Sequence, residues 1–403
     1  MNRLVIIGGG AAGLFAGIKA AENRIKVTIL EHGISAGKKI LSTGNGKCNM
    51  TNINMSVAGY YGNSEFVESV ISDVTPQNII NMFEDMGLLV RDRDGYVYPY
   101  SGQASTVRKL LVNTCNELGV DIVYECNISN VEKQDDVFVI STDRRVFQSD
   151  YLLIATGGKS FPKSGSDGSG FGIAQQFGHK INQPVPALTS VICNEKYTKN
   201  IAGVRAKAKI AVDDMQGNKY NEQGEVQFTD YGLSGIPVFN LSRTISYALK
   251  RGKKPIITVD IIPEYTKEQI KKCICNNVKF NGNRRIADQM AFLINDKLAL
   301  LILELANINK DTKLKELTAA QIDLLINKMK KLVFNAANVK GFDFAQVTAG
   351  GVDTDEIDKD TMESKIVPGL YFAGEIIDVD GICGGYNLHF AWASAYIASK
   401  GMK

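Results

Sequence analysis

The first thirteen residues place a glycine-rich turn directly behind a short apolar strand. Residues 4–7 are apolar, and the motif Gly8-x-Gly10-x-x-Gly13 follows them at the start of a helical pattern over 14–22. A second apolar segment over 26–30 completes a strand–helix–strand unit, which is typical of a parallel sheet covered by helices. The chain is therefore predicted to begin with an α/β domain.

The three glycines of this motif have separate physical roles. Gly8 allows the tight turn, Gly10 lets the backbone approach a pyrophosphate, and Gly13 lets the helix pack closely on the strand. The N–H groups of the first helical turn then face the phosphates. Glu31 ends the second strand 21 positions after Gly10, a spacing that suits an acid binding ribose hydroxyls. The motif predicts a Rossmann-type dinucleotide site, and a purely structural glycine turn is the alternative.

Two later strands also end in glycines, which favours FAD over NAD. The run 151–155 leads into Thr156-Gly157-Gly158, and the run 369–373 leads into Gly374-Glu375. A large cofactor spread across a sheet needs several such close backbone approaches, so FAD is predicted. We expect Glu375 to accept hydrogen bonds from ribityl hydroxyls. The turn at 384–387 is expected to stabilise negative charge at the flavin N1–C2=O edge.

The sequence pattern changes twice further along, and these changes set the predicted domain boundaries. Residues 53–119 are expected to be mainly helical. Residues 188–263 alternate with period two and predict a β-rich region on the substrate side, whereas 264–338 predict several helices. The predicted fold is α/β, with a discontinuous FAD-binding Rossmann-type domain over 1–187 and 339–403 that is interrupted in sequence by an antiparallel β insertion and a helical insertion.

Composition excludes several other classes of protein. The 403 residues are 44% apolar and 22% charged, as in an ordinary globular chain, and the formal charge is only +3. Residues 264–340 hold 14 Lys/Arg and 8 Asp/Glu, so a solvated helical face is expected there and an RNA-binding surface is the minor alternative. With three histidines in the chain, neither a metal site nor a Ser-His-Asp triad is expected.

Cysteine usage and the N-terminal residues indicate a cytoplasmic protein. The seven cysteines form no C-x-x-C pair, and their odd number fits a reducing compartment. We recognise no secretion signal and no apolar run near the ~20 residues that span a bilayer. We therefore expect a cytoplasmic protein with a small-molecule substrate and no membrane partner. The oligomeric state is left open.

The glycine motifs together resemble one bacterial flavoprotein family over almost the whole chain. The segments that carry the resemblance are GGGAAG at 8–13, GKKILSTGNGKCNMTN at 37–52, ATGG at 155–158, FTDYGLSG at 228–235, VTAGGV at 347–352, TMESK at 361–365, and the stretch from Gly374 to Leu388. The sequence is similar to the BaiN-like, aminoacetone-oxidase-like NAD(P)/FAD-dependent flavoproteins. This resemblance implies FAD, a Rossmann-type domain of the glutathione- and fumarate-reductase kind, and β plus helical insertions.

The resemblance also assigns individual residues to the cofactor. Lys38 and Lys39 are expected near the adenosine or pyrophosphate, and Asn45 to Asn49 near the isoalloxazine ring. Cys48 is interpreted as a packed small residue, with a reactive thiol facing the flavin as the alternative. The predicted cofactor-binding residues are Gly8, Gly10, Ala11, Ala12, Gly13, Glu31, Lys38, Lys39, Asn45, Gly46, Cys48, Asn49, Val131, Ala155, Thr156, Gly157, Gly374, Glu375, Gly385, Asn387 and Leu388.

Three positions depart from the family pattern. Lys47 stands where Arg is usual, Asp230 where His is common, and His389 where Gln is frequent. Asp230 presents a carboxylate in place of an imidazole, which puts any transferred substrate in doubt. The candidate catalytic residues are Tyr231, Tyr386 and His389, chosen by residue type as groups that polarise a carbonyl or donate a proton.

Two enzymatic functions follow from the resemblance. The first is an FAD-dependent oxidoreductase that passes hydride through flavin N5 to a C=C bond conjugated to a ketone, as in bile acids and related steroids. NADH or NADPH would be its transient electron donor, since no second G-x-G-x-x-G forms a separate nicotinamide domain. The second is an amine oxidase of the aminoacetone type that returns electrons to oxygen. An RNA-associated flavoprotein is the minor alternative.

Overall fold

The computed structural model describes residues 2–402 and divides them into two compact units. The sheet unit comprises residues 2–186 and 342–402, and the barrel unit comprises residues 187–341. Each unit has a hydrophobic core of its own. The chain thus leaves the sheet unit once and returns to it once, as the two separated groups of glycine-rich strands in the sequence suggest.

The bounds of the regular elements are as follows. The helices are α1 (Ala11–Glu22), α2 (Ser64–Asp73), α3 (Pro76–Asp85), α4 (Ala104–Glu117), α5 (Ser169–Gln176), α6 (Ile236–Lys250), α7 (Lys267–Asn281), α8 (Ile286–Ala291), α9 (Asp296–Leu305), α10 (Ala319–Lys330) and α11 (Tyr386–Gly401). The strands are β1 (Arg3–Ile7), β2 (Lys26–Leu30), β3 (Thr51–Asn52), β4 (Tyr60–Tyr61), β5 (Val90–Arg93), β6 (Tyr96–Pro99), β7 (Asp121–Val123), β8 (Ile128–Gln134), β9 (Val137–Thr142), β10 (Val146–Ser149), β11 (Tyr151–Ile154), β12 (Val185–Ala187), β13 (Val191–Cys193), β14 (Arg205–Asp213), β15 (Lys219–Thr229), β16 (Gly232–Ser234), β17 (Ile256–Asp260), β18 (Leu332–Val339), β19 (Val347–Ala349), β20 (Leu370–Phe372) and β21 (Asp380–Gly381).

A five-stranded parallel sheet forms the centre of the sheet unit, in the order β20-β11-β1-β2-β7. β1 lies between β11 and β2, with Ile7 opposite Ile154 on one side and Leu30 on the other. Its side chains from Leu4 to Ile7 are at most 4% exposed, as expected of a parallel strand covered on both faces. The predicted strand–helix–strand start and the Rossmann-type fold are therefore confirmed.

An aromatic cluster joins α11 to α1 and α3 beside this sheet. The ring of Phe15 lies 5.5 Å from those of Phe83 and Trp392, and Trp392 meets Phe83 edge-on at 5.3 Å. The Trp392 indole also donates a hydrogen bond to the Met50 carbonyl at 3.1 Å. α11 is buried on nearly all sides, which explains why its sequence is apolar all round rather than along one face.

The stretch 53–119, predicted as mainly helical, contains a β-hairpin as well as α2, α3 and α4. β5 and β6 pair with Arg93 opposite Tyr96, and the turn between them is Asp94-Gly95. Both turn residues have positive φ, 55° and 91°, as a tight hairpin turn requires. An Asp-Gly pair is a hairpin signal, so this segment combines three helices with one hairpin.

The barrel unit is built around a closed barrel with the strand order β13-β16-β15-β14-β17-β18. Its β-rich segment is interrupted by α6, which begins after Gly235 with a proline in its first turn. Its last strand, β18, comes from the end of the segment predicted as helical. Residues 332–339 alternate buried and exposed side chains over most of their length, as a strand with one buried face does.

Helices α7 to α10 share one hydrophobic core with the barrel. Ile274 of α7, Ile302 of α9 and Met329 of α10 are fully buried, and they belong to the same cluster as Phe334 of β18. The β-rich and helical segments therefore form a single compact unit in the described residues. Their predicted division into two separate domains stays a prediction.

Two further features of residues 2–402 bear on function. None of the helices described is both long enough and apolar enough to cross a bilayer. In the same part of the chain, His, Cys, Asp and Glu side chains form no group of three that would hold a metal ion.

Replacement of Gly13 by alanine is expected to separate α1 from β1. A Cβ atom on Gly13 would lie 1.9 Å from the Gly8 carbonyl oxygen, so the helix must move away from the strand. Forced overpacking of this kind costs about 1–3 kcal/mol, so the midpoint of thermal unfolding should fall by several degrees. The matched control is G172A in α5, where a Cβ would meet nothing within 4 Å. Equal unfolding midpoints for the two variants would contradict the close packing of α1 on β1.

Candidate FAD site

The glycine motif brings β1, α1 and β11 into direct backbone contact. Gly8 has a φ of 104°, and a Cβ there would lie 2.6 Å from the Ala155 carbonyl oxygen at the end of β11. Gly13 packs over Gly8, and Gly374 at the end of β20 lies against Ala12. The carboxyl ends of three neighbouring parallel strands therefore meet the first turn of α1. This is the edge of an open α/β sheet at which ligands bind.

The first turn of α1 is open in the way that a phosphate group requires. Gly10 is the N-cap residue, no side chain caps this end of the helix, and no acidic residue stands in the first turn. A Cβ built on Gly10 would meet nothing within 4 Å. The N–H groups at this helix end and its partial positive charge are thus accessible to an anion.

Glu31 lies beside this turn at the end of β2. One carboxylate oxygen accepts a hydrogen bond from the Gly9 N–H at 2.9 Å, and the other accepts one from the Gly33 N–H at 2.7 Å. The residue is 8% exposed, so its position is fixed. A carboxylate has about four acceptor positions, so both oxygens can still accept hydrogen bonds from ribose hydroxyls.

A cleft of about 420 Å³ begins beside Glu31. Its lining comes from the loop after β2, the segment after β7 and the turn at 162–165, and includes His32, Lys38 and Lys163. The Lys38 ammonium donates to the Lys163 carbonyl at 3.3 Å. A cleft of this size accepts a group as large as a nucleoside.

Lys39 and Glu375 form an ion pair that the sequence did not predict. Their Nζ and Oε2 atoms are 2.7 Å apart, and both side chains are largely buried. The other Glu375 oxygen accepts a hydrogen bond from the Thr348 N–H at 2.9 Å. A Cβ built on Gly158 would lie within 3 Å of the same oxygen, so a side chain there would collide with Glu375. Glu375 thus joins the ends of β20 and β11 to the 37–52 loop. Its predicted contact with ribityl hydroxyls stays a prediction.

The middle of the 37–52 loop has an exposed part and a buried part. Asn45 and Gly46 are exposed and have left-handed backbone conformations, with φ of 54° and 81°. Cys48 is fully buried, and burial raises the pKa of its thiol to about 12 although a hydrogen bond with Thr43 acts in the opposite direction. A thiol of this kind is packed rather than nucleophilic, as the sequence interpretation favoured.

Two asparagines predicted to bind the cofactor hold the turn before α11, and their contact with the cofactor stays a prediction. With its amide nitrogen toward the Thr51 and Val97 carbonyls, Asn49 donates to both, at 3.0 and 3.2 Å, and accepts from the Gly385 N–H at 3.2 Å. Asn387 donates to the Gly381 carbonyl and accepts from the Gly381 N–H, both at 2.8 Å. These amides hold the 381–385 turn in place.

Tyr386 occupies the first turn of α11, where it packs against Tyr60. Their rings meet edge-on at 5.1 Å, and the Tyr60 hydroxyl donates to the Tyr386 carbonyl at 2.8 Å. Tyr386 is 7% exposed, and burial together with the nearby Tyr96 raises its pKa. Leu388, two residues further along α11, is half-buried and packs on the core of the sheet unit.

The structure does not support the predicted catalytic role of His389. Its Nε2 donates to the Val74 carbonyl and its Nδ1 accepts from the Thr51 hydroxyl, both at 2.9 Å. The residue is fully buried, and burial lowers its pKa to about 4. A neutral imidazole with both nitrogens occupied has no proton to give to a substrate.

Two other predicted residues belong to other elements. Val131 is buried in β8, and its carbonyl accepts from the Gln176 amide at 2.9 Å. Tyr231 belongs to the barrel unit, in the turn between β15 and β16, where the Lys340 ammonium lies 4.0 Å from its ring centroid. Of the remaining predicted residues, Ala11 begins α1, and Thr156 and Gly157 follow Ala155 after the end of β11.

A second polar chain in the sheet unit has the order of a hydrolytic triad but a structural role. His179 is hydrogen-bonded to the Ser364 hydroxyl at 2.7 Å through Nε2 and to the Glu356 carboxylate at 3.1 Å through Nδ1. The Ser364 oxygen also accepts from the N–H groups of Ile366 and Val367, and the His179 side chain is fully buried. These contacts fix the 356–367 segment and leave no accessible nucleophile.

Sequence reasoning missed several residues that support the site. Thr348 accepts from the N–H groups of Lys159 and Ser160, at 2.8 and 3.0 Å, and so fixes the segment after β11. Thr348 lies in the TAGG run at 348–351, in which the glycines gave the sequence signal and the threonine gave none. The Lys39–Glu375 pair had no sequence signal, because the partners are 336 positions apart.

The cluster around Gly8, Gly10, Glu31 and Glu375 fits FAD. The helix end suits a pyrophosphate, Glu31 and the cleft suit adenosine, and glycine approaches continue across β11 and β20. This combination of fold and site is that of an FAD-binding Rossmann-type flavoprotein.

Comparison with known proteins gives the same class. Residues 2–401 match the family described as the HI0933-like protein Rossmann domain, and the chain belongs to this family. A relative from Clostridium scindens, a 3-dehydro-bile acid delta(4,6)-reductase, is 39% identical over 99% of this chain and 98% of its own. A ribosomal RNA dihydrouridine synthase from Haemophilus influenzae is 30% identical over 97% of this chain and 96% of its own. The protein is thus an FAD-dependent oxidoreductase, and its resemblance to BaiN-like flavoproteins is confirmed.

One solved structure among those similar to this chain is a 3-ketosteroid-delta4-(5alpha)-dehydrogenase from Rhodococcus jostii. It is 13% identical, with a TM-score of 0.48, and the match covers 99% of this chain and 96% of that one.

Replacement of Gly10 by alanine should weaken FAD binding without loss of the fold. The added Cβ meets no protein atom within 4 Å, but it enters the space in front of the α1 N–H groups. Overpacking against the pyrophosphate costs about 1–3 kcal/mol, which corresponds to roughly tenfold or more in the dissociation constant. Flavin fluorescence titration of the apoprotein measures this constant, and unchanged affinity would place the pyrophosphate elsewhere.

Buried His389 should make the fold sensitive to acid. Its folded pKa of about 4 lies below the ordinary value of 6.5, so its stabilising contribution is complete above pH 6.5. That contribution is lost as the pH falls from 6.5 toward 4 and amounts to about 3 kcal/mol. Urea unfolding at several pH values measures the change, and the H389Q variant should have a flatter profile. Loss of turnover in H389Q at neutral pH, with stability intact, would restore a catalytic role.

Proposed function

We propose that the protein is an FAD-dependent reductase that adds hydrogen across a carbon–carbon double bond conjugated to a carbonyl, with a steroid or bile-acid-like enone as substrate. The observation that carries the proposal is the 39% identity, over nearly the full length of both chains, to a 3-dehydro-bile acid delta(4,6)-reductase. The double bonds named for that relative are conjugated to a 3-oxo group. NADH or NADPH is the proposed electron donor.

The residues of the sheet unit would bind and orient the cofactor. FAD supplies the hydride chemistry when it is bound. The N–H groups at Gly10 would hold the pyrophosphate, Glu31 the adenosine ribose, and Glu375 the ribityl chain, with Lys39 fixing the Glu375 carboxylate at 2.7 Å. The amides of Asn49 and Asn387 would keep the N-terminus of α11 in a fixed place, where its dipole stabilises negative charge.

Tyr231 is the proposed proton donor for the second hydrogen. Among the three candidate residues, His389 has both ring nitrogens occupied and Tyr386 is buried against Tyr60. Tyr231 lies at a turn between two short strand ends and is only half-buried. The Lys340 ammonium lies 4.0 Å from its ring centroid, and this cation–π contact orients the ring.

Anaerobic reduction experiments test this function. NADH or NADPH should bleach the flavin absorbance of the purified protein, and a 3-oxo-4,6-diene steroid should restore it with formation of the reduced steroid. The Y231F variant should be reduced by the nicotinamide at the wild-type rate but should reduce the steroid about 10²-fold or more slowly. Flavin reduction by aminoacetone, with none by NADH or NADPH, would overturn the proposal in favour of the amine oxidase.

A second candidate substrate is a uracil base in RNA. Dihydrouridine forms by addition of hydrogen across the C5=C6 bond of uridine, which is conjugated to the C4 carbonyl, so the reaction class is the same. Two observations favour it. One is the 30% identity to a ribosomal RNA dihydrouridine synthase. The other is charge, because residues 187–341 hold 25 Lys/Arg and 15 Asp/Glu, a formal charge of +10, whereas the rest of the chain sums to −7.

The same assay separates the two substrates. Oxidation of the reduced flavin by unmodified ribosomal RNA, with dihydrouridine detected in the nuclease digest, and no oxidation by the steroid would assign the RNA substrate. Oxidation by the steroid alone would assign the enone substrate.

A further inference from the structure

Two phenylalanines in the helical part of the barrel unit are exposed to an unusual degree. Phe280, in the last turn of α7, is 73% exposed, and Phe292, directly after α8, is 69% exposed. Each ring lies close to a cation, with Lys279 Nζ 5.4 Å from the Phe280 centroid and the Arg284 guanidinium 5.1 Å from the Phe292 centroid. Contiguous exposed apolar patches mark interaction sites, whereas single exposed rings do not, so the contacts that relate the two rings matter.

Hydrogen bonds place the two rings around one structural group. Arg284 donates to the Asn277 side chain at 3.0 Å and to the Gln289 side chain at 3.1 Å. Asn277 lies one helical turn before Phe280, on the same face of α7. The guanidinium therefore bridges the helix end that carries Phe280 and the segment that carries Phe292, and it holds the two aromatic positions in a fixed relation.

More cations surround this group. The Gly282 carbonyl accepts from the Lys315 N–H at 3.0 Å, and the Arg284 carbonyl accepts from the Leu314 N–H at 2.9 Å, which brings the 313–315 segment alongside. Within residues 2–402, Lys279, Arg284 and Lys315 have no acidic side chain within ion-pair distance. Arg285, by contrast, is paired with Asp288 and Asp311.

We infer that Phe280, Phe292, Lys279, Arg284 and Lys315 form a binding surface for single-stranded RNA, here the stacking surface. Unpaired bases of any sequence stack on flat aromatic faces, and lysine and arginine side chains around those faces donate hydrogen bonds to the phosphates. A net charge of +10 on the barrel unit attracts the same polyanion over a longer range. A catalytic use of the stacking surface rests on the second candidate substrate, uracil in RNA. RNA binding by the surface is measured separately, without turnover.

Binding to a fluorescein-labelled oligouridylate of about 15 nucleotides tests the stacking surface, with fluorescence anisotropy as the readout. The wild-type FAD-loaded protein should bind the single strand more tightly than a duplex of equal length. The F280A/F292A variant should bind roughly tenfold or more weakly. Its matched control is F344A, which removes a phenylalanine of 65% exposure from the negatively charged sheet unit and should leave the affinity unchanged.

The salt dependence distinguishes stacking from phosphate contacts. In K279Q/K315Q, the slope of log affinity against log salt should fall by about 1.4, because each contact to a single strand contributes about 0.7. In F280A/F292A the slope should stay at the wild-type value. Unchanged thermal unfolding and flavin absorbance verify that each variant is folded, as expected for exposed positions.

Three results would overturn the stacking surface. These are equal affinity of F280A/F292A and wild type, equal affinity for duplex and single strand, and binding to phosphatidylserine vesicles with none to the oligouridylate. RNA binding with the predicted variant effects but without dihydrouridine formation would leave the stacking surface standing and reject only the second substrate.

Discussion

The contact between the backbones of β1, α1 and β11 is the constraint on which the site depends. Gly8 lies against the Ala155 carbonyl and Gly13 against the Gly8 carbonyl, at distances that leave no room for a side chain. This contact aims the first turn of α1 at the carboxyl edge of the sheet, and it sets Glu31 beside the same turn through the Gly9 N–H. The open end of α1, the Glu31 carboxylate and the end of β11 are thus brought together by one close approach of main chain.

Polar side-chain contacts fix the parts of the site that the glycine backbone contacts do not hold. Asn49 and the Lys39–Glu375 pair join segments far apart in sequence, at the start of α11 and at the end of β20, and Asn387 closes the turn before α11. His389 does the same inside the core, between Thr51 and Val74. Such buried groups are hydrogen-bonded because an unpaired polar atom there costs more than the bond contributes. Their chemistry is therefore used to hold the backbone in position.

Charge is distributed between the units in a way that the total conceals. A formal charge of +3 combines +10 on residues 187–341 with −7 on the remainder. A steroid reductase has no evident need for this separation, whereas an enzyme that handles RNA does. Steroid enones and uracil both contain a double bond conjugated to a carbonyl, so the two proposed substrates call for the same cofactor chemistry and differ in the charge of the surface that would bind them.

The sequence by itself determined the elements whose signal is local. The strand–glycine–helix start, the buried strand of 151–154, the helix near the C-terminus and the identity of the cofactor follow from short motifs, because glycine spacing and apolar periodicity act over a few residues. It also favoured a packed Cys48. The Asp94-Gly95 hairpin had an equally local signal that was overlooked.

Only the tertiary structure decided which residues meet across long separations. It made β18 the last strand of the barrel and paired Lys39 with Glu375. It also enclosed His389, a candidate proton donor by residue type, between two hydrogen-bond partners in the core. Residue type states what a side chain is able to do, but burial and hydrogen-bond partners fix its charge and its access to a substrate, and both come from segments that the local sequence does not contain.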